Sequence, residues 1–310
     1  VLNQKLINSL KLDISKNGQY DPKNIAYLFA IKNGAEFIVD SESLPSFDLS
    51  AYFIYDLTDY GLIYDCNCNS SRVINPFAHF GQPLLNQRGN FYNQEVHLNN
   101  YYVGKRKTSA IQHAILNGWP DLSNQDAVSI DRVEFDNSAP NFQLPIGKMA
   151  PFNSRLTLFR HQAFWALYLP TTVLYSDIYR SFWSQRLMWL IDETVSFIGP
   201  KSNYMRSKSN KIDVKIEKKV KSLVDFLYEW KCTKSKFFEC VIELSVEMAI
   251  RDYWSNDEVG LINDWLNDLK RIGYKEPIIV NFEQNKTNSM KEKCQQYNNP
   301  NAYSKVRFTP

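Results

Sequence analysis

Hydrophobic and polar positions follow the periods of both helices and strands in the first part of the chain. Residues 25–33 followed by Gly34 predict a helix that ends at a glycine, and residues 36–39 predict a short buried strand. This strand runs into Asp40 and Glu42. A helix, a glycine, a strand and then carboxylates in this order indicate an α/β fold.

Further elements are predicted in the middle of the chain. The segment 67–94 is rich in Asn, Pro and Gly, which favours long ordered loops, and residues 108–116 predict a short helix. Residues 155–168 and 177–192 carry apolar side chains around most of the helical circumference. Both are therefore predicted to be core helices, the second capped by Ser176.

The last third of the chain is predicted to form a helical lobe. Apolar positions recur with the helical period between residues 212 and 227, and residues 235–254 and 257–272 repeat the pattern. Asn256 and Gly273 are predicted to begin and end the last helix. Residues 284–310 are poor in apolar side chains, so we expect them to be mobile. The predicted organisation is a core over 1–200, a helical lobe over 201–275 and a polar tail over 276–310.

Composition excludes several classes of protein. The chain has 310 residues, of which 44% are hydrophobic, enough to bury a sizeable core. Its net charge of +3, from 36 basic and 33 acidic residues, is too balanced to indicate nucleic acid or a membrane surface as an electrostatic partner. No apolar run approaches the roughly 18 residues that span a bilayer. We therefore expect no transmembrane segment in this chain, and an anchor would lie outside it.

The cysteines and the glycosylation sequons bear on the cellular compartment. The five cysteines match no zinc-binding spacing, and their odd number fits either a reduced compartment or one or two disulfides with a spare thiol. Sequons at Asn69 and Asn285 would be used only in the secretory pathway. The four histidines also lack metal-ligand spacing, so a zinc site is not expected.

Several unusual strings carry a resemblance to a known family. They are residues 23–31 with Gly34 and Ala35, 75–77 with 80–83 and 88–89, 111–112, 150–154, 177–178 with 180–189, and 227–232. Together they span roughly residues 20–232. In these strings the chain resembles the STELLO-like family, whose members contain a domain of unknown function and are described as glycosyltransferases of the Golgi.

This resemblance implies a nucleotide-sugar transferase fold of the GT-A type, with a mixed sheet between helices, in the Golgi lumen. The reaction would move a sugar from a nucleotide sugar to a glycan or glycoconjugate acceptor. In such folds a carboxylate pair holds Mn²⁺ or Mg²⁺, which stabilises the leaving diphosphate. The resemblance makes Asp40 and Glu42 the candidate metal ligands.

Two features depart from the family pattern. The chain has Asp40-Ser41-Glu42 where family members carry a run of aspartates, which keeps two carboxylates at the same spacing but lengthens one. Only 39 residues precede Asp40, whereas a GT-A fold places a complete strand-helix-strand unit there to bind the nucleotide base. The nucleotide pocket is therefore expected to be incomplete within these residues.

The other candidate residues concern the acceptor and the diphosphate. Asp177 is the candidate general base and Trp183 the candidate sugar platform, although an ion pair with Arg180 or a helix cap would also account for Asp177. A structural turn is the alternative for the loop at Gly81, and a solvated basic segment is the alternative for the region of Arg206. The full set of substrate-binding candidates is Gly81, Gln82, Arg88, Asn153, Arg180, Trp183 and Arg206, with Asp121, Asp126 and Asp131 as secondary acidic candidates.

A second function stays open on the sequence. The altered acidic motif and the short N-terminal region also fit a catalytically silent Golgi scaffold that keeps the transferase fold and binds partners in a membrane-bound synthase complex. A ligand that binds the native state raises its melting temperature. A nucleotide sugar with Mn²⁺ should therefore stabilise the transferase and leave the scaffold unchanged.

Overall fold

Two β-sheets and a group of helices make up the described part of the chain. The computed structural model describes residues 12–14, 20–42, 49, 52–64, 72–90, 99–118, 121–123, 130–201, 203–204, 214–280, 295–297 and 306–308. The strands are β1 (Phe37–Ser41), β2 (Thr58–Tyr64), β3 (Asn99–Lys107), β4 (Ile111–Ala114), β5 (Asn117–Gly118), β6 (Ile130–Val133), β7 (Phe142–Gln143), β8 (Leu156–Arg160), β9 (Val195–Ile198), β10 (Asn203–Tyr204), β11 (Gln295–Tyr297) and β12 (Val306–Phe308). The helices are α1 (Pro22–Lys32), α2 (Pro76–His79), α3 (Ser176–Met188), α4 (Val214–Glu229), α5 (Phe237–Ile250) and α6 (Asn256–Arg271).

Both sheets are formed from strands that are far apart in the chain. The larger sheet has the order β1-β8-β4-β9-β7-β2-β3-β11, and the smaller sheet has the order β10-β5-β6-β12. In the larger sheet β4 with β9 and β7 with β2 are parallel, and the other neighbours are antiparallel. The prediction of a mixed α/β architecture is therefore confirmed.

Two predicted helices are wrong in this central sheet. Residues 108–116 contain the strand β4, and residues 155–168 contain β8 followed by the 3-10 helix His161–Leu167. Every residue of β4, β8 and β9 is buried. A strand covered on both faces is apolar all round, so a short apolar run cannot distinguish it from a buried helix.

The first predicted helix and strand are confirmed. The side chain of Asp21 caps α1 by accepting a hydrogen bond from the backbone N–H of Lys23, and Gly34 follows the helix with φ of +80°. The next strand, β1, pairs antiparallel with β8, so that Asp40 lies opposite Thr157. Although β1 is an edge strand of this sheet, Asp40 near its end is buried.

Helices α3 to α6 agree with the helical periodicity of the sequence, but the predicted N-terminal caps of α3 and α6 are wrong. Tyr175, with φ of +60°, precedes α3 without a side-chain capping bond, so the predicted cap Ser176 is already helical. The side chain of Ser255, rather than Asn256, caps α6 by accepting from the N–H of Glu258. Gly273 ends α6 with φ of +93°, as predicted.

The division into a core over 1–200 and a helical lobe over 201–275 stays a prediction. One hydrophobic cluster contains side chains from the sheet region and from the C-terminal helices, including Leu28, Trp183, Leu244 and Trp265. The mobility of the tail stays a prediction; of its described residues, β11 pairs with β3 and β12 pairs with β6. In the described residues, no helix combines the length and the apolar character needed to cross a bilayer.

A disulfide links the end of α4 to the next helix. It joins Cys232 to Cys240, which is in the first turn of α5. Of the two alternatives that the cysteine count left open, the structure therefore favours an oxidised chain. Cys66, Cys68 and Cys294 lie outside the described residues.

Candidate functional site

A largely covered guanidinium held between two carboxylates is the centre of the site. The Nε of Arg88 donates to the Oδ1 and Oδ2 of Asp121 at 3.0 and 2.9 Å. Its Nη1 and Nη2 donate to the Oδ1 and Oδ2 of Asp177 at 3.0 and 2.6 Å. Two-point bonds of this kind fix both position and orientation. Arg88 therefore links three segments, which are its own loop, the loop that contains Asp121 and the first turn of α3.

A glycine allows this loop to approach the helix. Gly89 has φ of +92°, and a Cβ at this position would lie 2.8 Å from Ile178 and 3.0 Å from Pro151. Backbone bonds hold the other side of the loop, since the N–H of Arg88 donates to the carbonyl of Asp121 at 2.8 Å. Only glycine tolerates both this φ and this contact, which places Arg88 beside Asp177.

Asp121 extends the network to a pocket. Its Oδ2 accepts from the Nδ2 of Asn153 at 2.9 Å, and its Oδ1 lies 3.4 Å from the Nη2 of Arg155. All three side chains line a half-open pocket that encloses about 250 Å³ of empty space including its mouth. Its other walls are the side chains of Gln87 and His113, the ring of Phe77 and the apolar residues 114–116.

The charges beneath this pocket are strongly coupled. Burial alone would raise the pKa of Asp177, but the charge and hydrogen bonds of Arg88 outweigh it and hold the pKa at about 2. Burial would lower the pKa of Arg88, but the two carboxylates raise it well above its ordinary value. Both groups therefore stay charged near neutral pH.

His113 forms the neutral wall of the pocket. Burial lowers its pKa to about 3. Its Nδ1 lies 2.8 Å from the Oγ1 of Thr157, and its Nε2 lies 3.2 Å from the Nε2 of Gln87. The ring is therefore held on both sides by hydrogen bonds within the core of the sheet.

A second buried ion pair lies beside the first. Asp40 accepts from the Nζ of Lys23 at 2.7 Å through Oδ1 and from the Nη2 of Arg180 at 2.6 Å through Oδ2. The same Nη2 donates to the Oγ of Ser154 at 2.9 Å, while the backbone N–H of Ser154 donates to Asp177 at 3.4 Å. The acid at the end of β1 and the acid at the start of α3 are therefore linked through Arg180 and Ser154.

The predicted metal ligands do not fit a metal in this arrangement. The side chain of Asp40 is fully buried, and both of its oxygens already accept from cations. Burial alone would raise its pKa, but Arg180 and Lys23 outweigh it and lower the pKa. Glu42 is exposed. Among the described residues no group of three or more His, Cys, Asp or Glu side chains could hold a metal ion.

The comparisons with known proteins agree with the resemblance seen in the sequence. The model of the family described as STELLO glycosyltransferases matches residues 174–303. The chain is 31% identical over 310 residues to Probable glycosyltransferase STELLO2 of Arabidopsis thaliana, covering 91% of this chain and 39% of that protein. It is also 31% identical over 291 residues to Probable glycosyltransferase STELLO1 of the same plant, covering 84% and 37%. The STELLO resemblance is confirmed.

This STELLO-like chain spans about two fifths of the length of the curated relatives that it matches. The first of these matches covers 91% of this chain. The relatives are named as glycosyltransferases. Their activity bears on this chain as a proposal, because most of their length lies outside the match.

Four of the predicted catalytic and substrate-binding residues of this STELLO-like chain belong to the linked ion-pair clusters. They are Arg88, Asn153, Asp177 and Arg180. The predicted metal ligand Asp40 belongs to the same clusters. Asp177 is paired with Arg88 rather than with Arg180, its neighbour along the helix. Both of its oxygens accept from a cation and its pKa is low, so its geometry favours the ion-pair alternative over the general base.

Other predicted residues lie elsewhere. Trp183 is fully buried between Trp165 and Trp254, and its role as a sugar platform stays a prediction. The half-buried ring of Tyr175 lies beside the cluster, with its centroid 5.2 Å from the guanidinium carbon of Arg88. Arg206 lies outside the described residues.

The loop at Gly81 agrees with its structural alternative. Gly81 has φ of +89°, and its N–H donates to the carbonyl of Ala78 in the turn that follows α2. The side chain of Gln82 is buried and donates to the backbone carbonyl of Glu134 at 2.8 Å. Both residues therefore shape the loop that precedes Arg88, and neither lines the pocket.

Sequence reasoning missed Gln87, His113, Thr157 and Arg155, and it gave Asp121 only a secondary place. Gln87 is adjacent to the candidate Arg88, and Arg155 follows the candidate string 150–154. Their position next to these candidates was the sequence signal for Gln87 and Arg155. For His113 and Thr157 there was none, because their pairing depends on the register of β4 with β8.

Proposed function

We propose that this chain forms part of a glycosyltransferase that moves a sugar from a nucleotide sugar to a glycan or glycoconjugate acceptor, on a GT-A-like fold. The observation that carries the proposal is the similarity to the two STELLO proteins over most of this chain. The mixed sheet flanked by helices supports the fold. The half-open pocket beside Asp121, Asn153 and Arg155 is the proposed substrate site.

The two ion-pair clusters act as the rigid support of this site. Arg88 is bound by both Asp121 and Asp177, so it orients the Asp121 carboxylate that faces the pocket. Asn153 donates to the same carboxylate and accepts from the backbone N–H of Arg155. A binding constellation held by buried partners keeps its geometry when the substrate arrives. We assign Asp177 to this positioning role.

The dependence on Mn²⁺ or Mg²⁺ stays a prediction. A divalent cation would supply charge stabilisation for the leaving diphosphate. Asp40 and Glu42 are not arranged to hold it, since Asp40 is fully engaged by Lys23 and Arg180. We therefore assign no step of the reaction to that pair.

The Golgi lumen stays the proposed location. The disulfide between Cys232 and Cys240 supports it, because such bonds persist in the oxidising secretory compartments. A membrane-bound synthase complex is the proposed partner assembly. Co-purification of the tagged full-length protein from Golgi membranes with other transferase subunits tests this partner, and recovery of the protein alone would count against it.

A catalytically silent scaffold is the second candidate. The specific observation in its favour is that the predicted general base, Asp177, and the predicted metal ligand, Asp40, are both buried and bound by arginine. A carboxylate held in this way is a weak base and a poor metal ligand. A scaffold needs only the folded surface, which these pairs would stabilise.

Nucleotide-sugar binding tests the proposal. We expect one member of a panel of nucleotide sugars, with Mn²⁺, to raise the melting temperature of the chain by mass action, since ligand at about 100 times its Kd adds roughly 2.7 kcal/mol. Arg155→Gln, which alters the pocket, should reduce the shift. Arg72→Gln, at an exposed ion pair, should retain it. No shift with any donor would favour the scaffold.

A further inference from the structure

Seven charged side chains among the described residues form a network of alternating sign that runs from helix α1 to the pocket. Within this charge network every direct contact joins a cation to a carboxylate, at 2.6 to 3.4 Å. Ser154 links Arg180 to Asp177, through its Oγ at 2.9 Å and its N–H at 3.4 Å. In order, the members are Lys23, Asp40, Arg180, Asp177, Arg88, Asp121 and Arg155. The network therefore begins and ends with a cation, and its last member lines the pocket.

Neighbouring members of the charge network share their partners. Asp40 is held by Lys23 and Arg180 together. Burial would lower the pKa of Arg180, but Asp40 outweighs it and Asp177 adds to the rise. Because a protein interior screens charges weakly, a buried carboxylate that loses one of two cations binds the other more strongly. Loss of a charge at one end of the network should therefore change the pairing of the members that follow it.

Lys23 is the exposed end of this network, but its position is fixed. Its side chain is 32% exposed, the largest fraction among the seven members, whereas the side chain of Asp40 is fully buried. The backbone N–H of Lys23 donates to Asp21 at 2.8 Å. The buried amide of Asn24 forms two hydrogen bonds with the backbone of Leu169, at 2.8 and 3.0 Å. These bonds distinguish Lys23 from the lysine of an exposed ion pair, in which both side chains move freely.

The middle of the charge network is held at several points. Arg180 is fully buried, and its Nη1 donates to the carbonyl of Leu167 at 3.2 Å. Its Nη2 donates to Asp40 at 2.6 Å and to Ser154 at 2.9 Å. Leu167 lies two residues before Leu169, so one short segment holds both helix α1 and Arg180. A guanidinium fixed in this way passes a change in one partner on to the others.

We propose that Lys23 is a positioning residue of the pocket, and that its charge, acting through the network, sets how Asp121 and Arg155 are held at the pocket wall. Lys23 itself does not line the pocket, so the network is the route by which it acts. The inference rests on the proposed function, because it takes this pocket as the substrate site. It adds to that function a residue on a different helix that tunes the site from a distance.

A double-mutant cycle between the two ends of the network tests this inference without any ligand. Lys23→Met and Arg155→Gln are made singly and together in the 310-residue chain, and the unfolding equilibrium constant of each variant is measured in urea. Changes at distant sites without shared partners multiply to within about twofold. We expect the combined effect to differ from the product of the single effects by about threefold or more.

The matched control is a lysine on the same helix. Lys32 is exposed in the last turn of α1. Lys32→Met should combine with Arg155→Gln to within about twofold of the product. Lys23→Arg keeps the charge that enters the network and should give the same result as this control. Lys23→Gln takes the place of Lys23→Met if the latter fails to fold.

Nucleotide-sugar affinity then shows whether the coupling reaches a ligand. For a nucleotide sugar that raises the melting temperature of the wild type, we expect Lys23→Met to weaken binding about three- to tenfold, the range for one misplaced hydrogen bond between uncharged groups. Isothermal titration of the folded variants measures this change. Lys23→Arg and Lys32→Met should bind like the wild type. A purely structural role of Lys23 would lower stability and leave the affinity unchanged.

The outcomes separate this inference from the proposed function. Multiplicative effects of Lys23→Met and Arg155→Gln, or equal coupling for Lys32→Met, overturn the inference. Coupling with an unchanged nucleotide-sugar affinity also overturns it, because the network would then support only the fold. If a nucleotide sugar binds and Lys23→Met changes neither measurement, the inference fails and the function stands. Coupling between Lys23 and Arg155 in a chain that binds no nucleotide sugar keeps Lys23 as a positioning residue of the pocket wall and removes the proposed function.

Discussion

The polar cluster around Arg88 and the helical region over residues 214–280 are both closely packed, but they bury different chemistry. In the cluster Arg180 and three aspartates are buried and the Arg88 side chain is largely covered, and each depends on partners from distant parts of the chain. In the helical region the core is made of side chains such as Leu223, Leu244 and Trp265. Ion pairs there have exposed cations, as in Lys219 with Asp252, although the carboxylates of Glu258 and Asp268 are buried.

This difference predicts unequal tolerance to change. Removing one partner of a buried ion pair leaves an uncompensated charge, whereas exposed pairs contribute little. An apolar core loses only the contacts of the side chain that is cut back. The cluster should therefore respond sharply to loss of a single charge, and the helical region should respond in proportion to the volume removed.

The largest effect is expected from Arg88→Leu. It leaves Asp121 and Asp177 buried without their shared cation, which should lower the free energy of unfolding by about 3 to 5 kcal/mol. Urea unfolding measures this. Arg251→Leu, which breaks the half-exposed pair with Glu247 in the helical region, should cost no more than about 1 kcal/mol. Equal losses in the two variants would remove the contrast between the regions.

Acid should weaken the sheet region before the helical region. Burial lowers the pKa of His79 to about 4 and that of His113 to about 3, from 6.5 in the unfolded chain. Their contribution is complete above pH 6.5 and is lost as the pH falls towards these values, at about 1.4 kcal/mol per pH unit for each histidine. By pH 5 the loss is about 2 kcal/mol for each.

Hydrogen exchange at pH 7 and pH 5 locates this loss. Residues 214–280 contain no histidine, so their exchange should be accelerated only by the global loss of stability. Amides of β4 and its neighbours should show the earliest local opening. The low pKa of Asp177, about 2, adds a further loss only below its ordinary value of 3.8. Stability that stays level between pH 7 and pH 5 would contradict this prediction.

An intermediate effect is expected in the helical region from its disulfide. Replacing Cys232 and Cys240 by serine opens a short loop, which should cost about 2 to 3 kcal/mol through the added freedom of the unfolded chain. Thermal unfolding with and without a reducing agent measures it. The wild type should lose stability on reduction, and the double serine variant should not respond. A response of the serine variant would point to one of the other cysteines.

A smaller effect on the cluster is expected from Gly89→Ala, at roughly 1 to 3 kcal/mol. The alanine must adopt φ near +92° and its Cβ must displace Ile178 and Pro151. Gly34→Ala is the matched control, because its φ is +80° but nothing lies within 4 Å of the added atom. The difference between the two measures the close approach of the Arg88 loop to α3. Equal costs would mean that the approach is not tight in solution.

The sequence alone determined the helical region, the first helix with its glycine end, the first strand and the membership of Arg88, Asn153, Asp177 and Arg180 in one candidate site. Helical period, caps and glycine ends are local properties of the chain. The four site residues were predicted from the strings that resemble the family. Only the tertiary structure decided that β4 and β8 are strands, because a run that is apolar on every side fits a buried strand as well as a buried helix.

The tertiary structure also decided what the candidate residues do. Whether an aspartate is a base, a metal ligand or one half of an ion pair depends on which cation lies within about 3 Å, and these cations come from segments that are far apart in the sequence. Asp40 meets Arg180 across 140 residues, and Asp177 meets Arg88 across 89. Gln87 and His113 became neighbours through the same long-range packing, which no local pattern encodes.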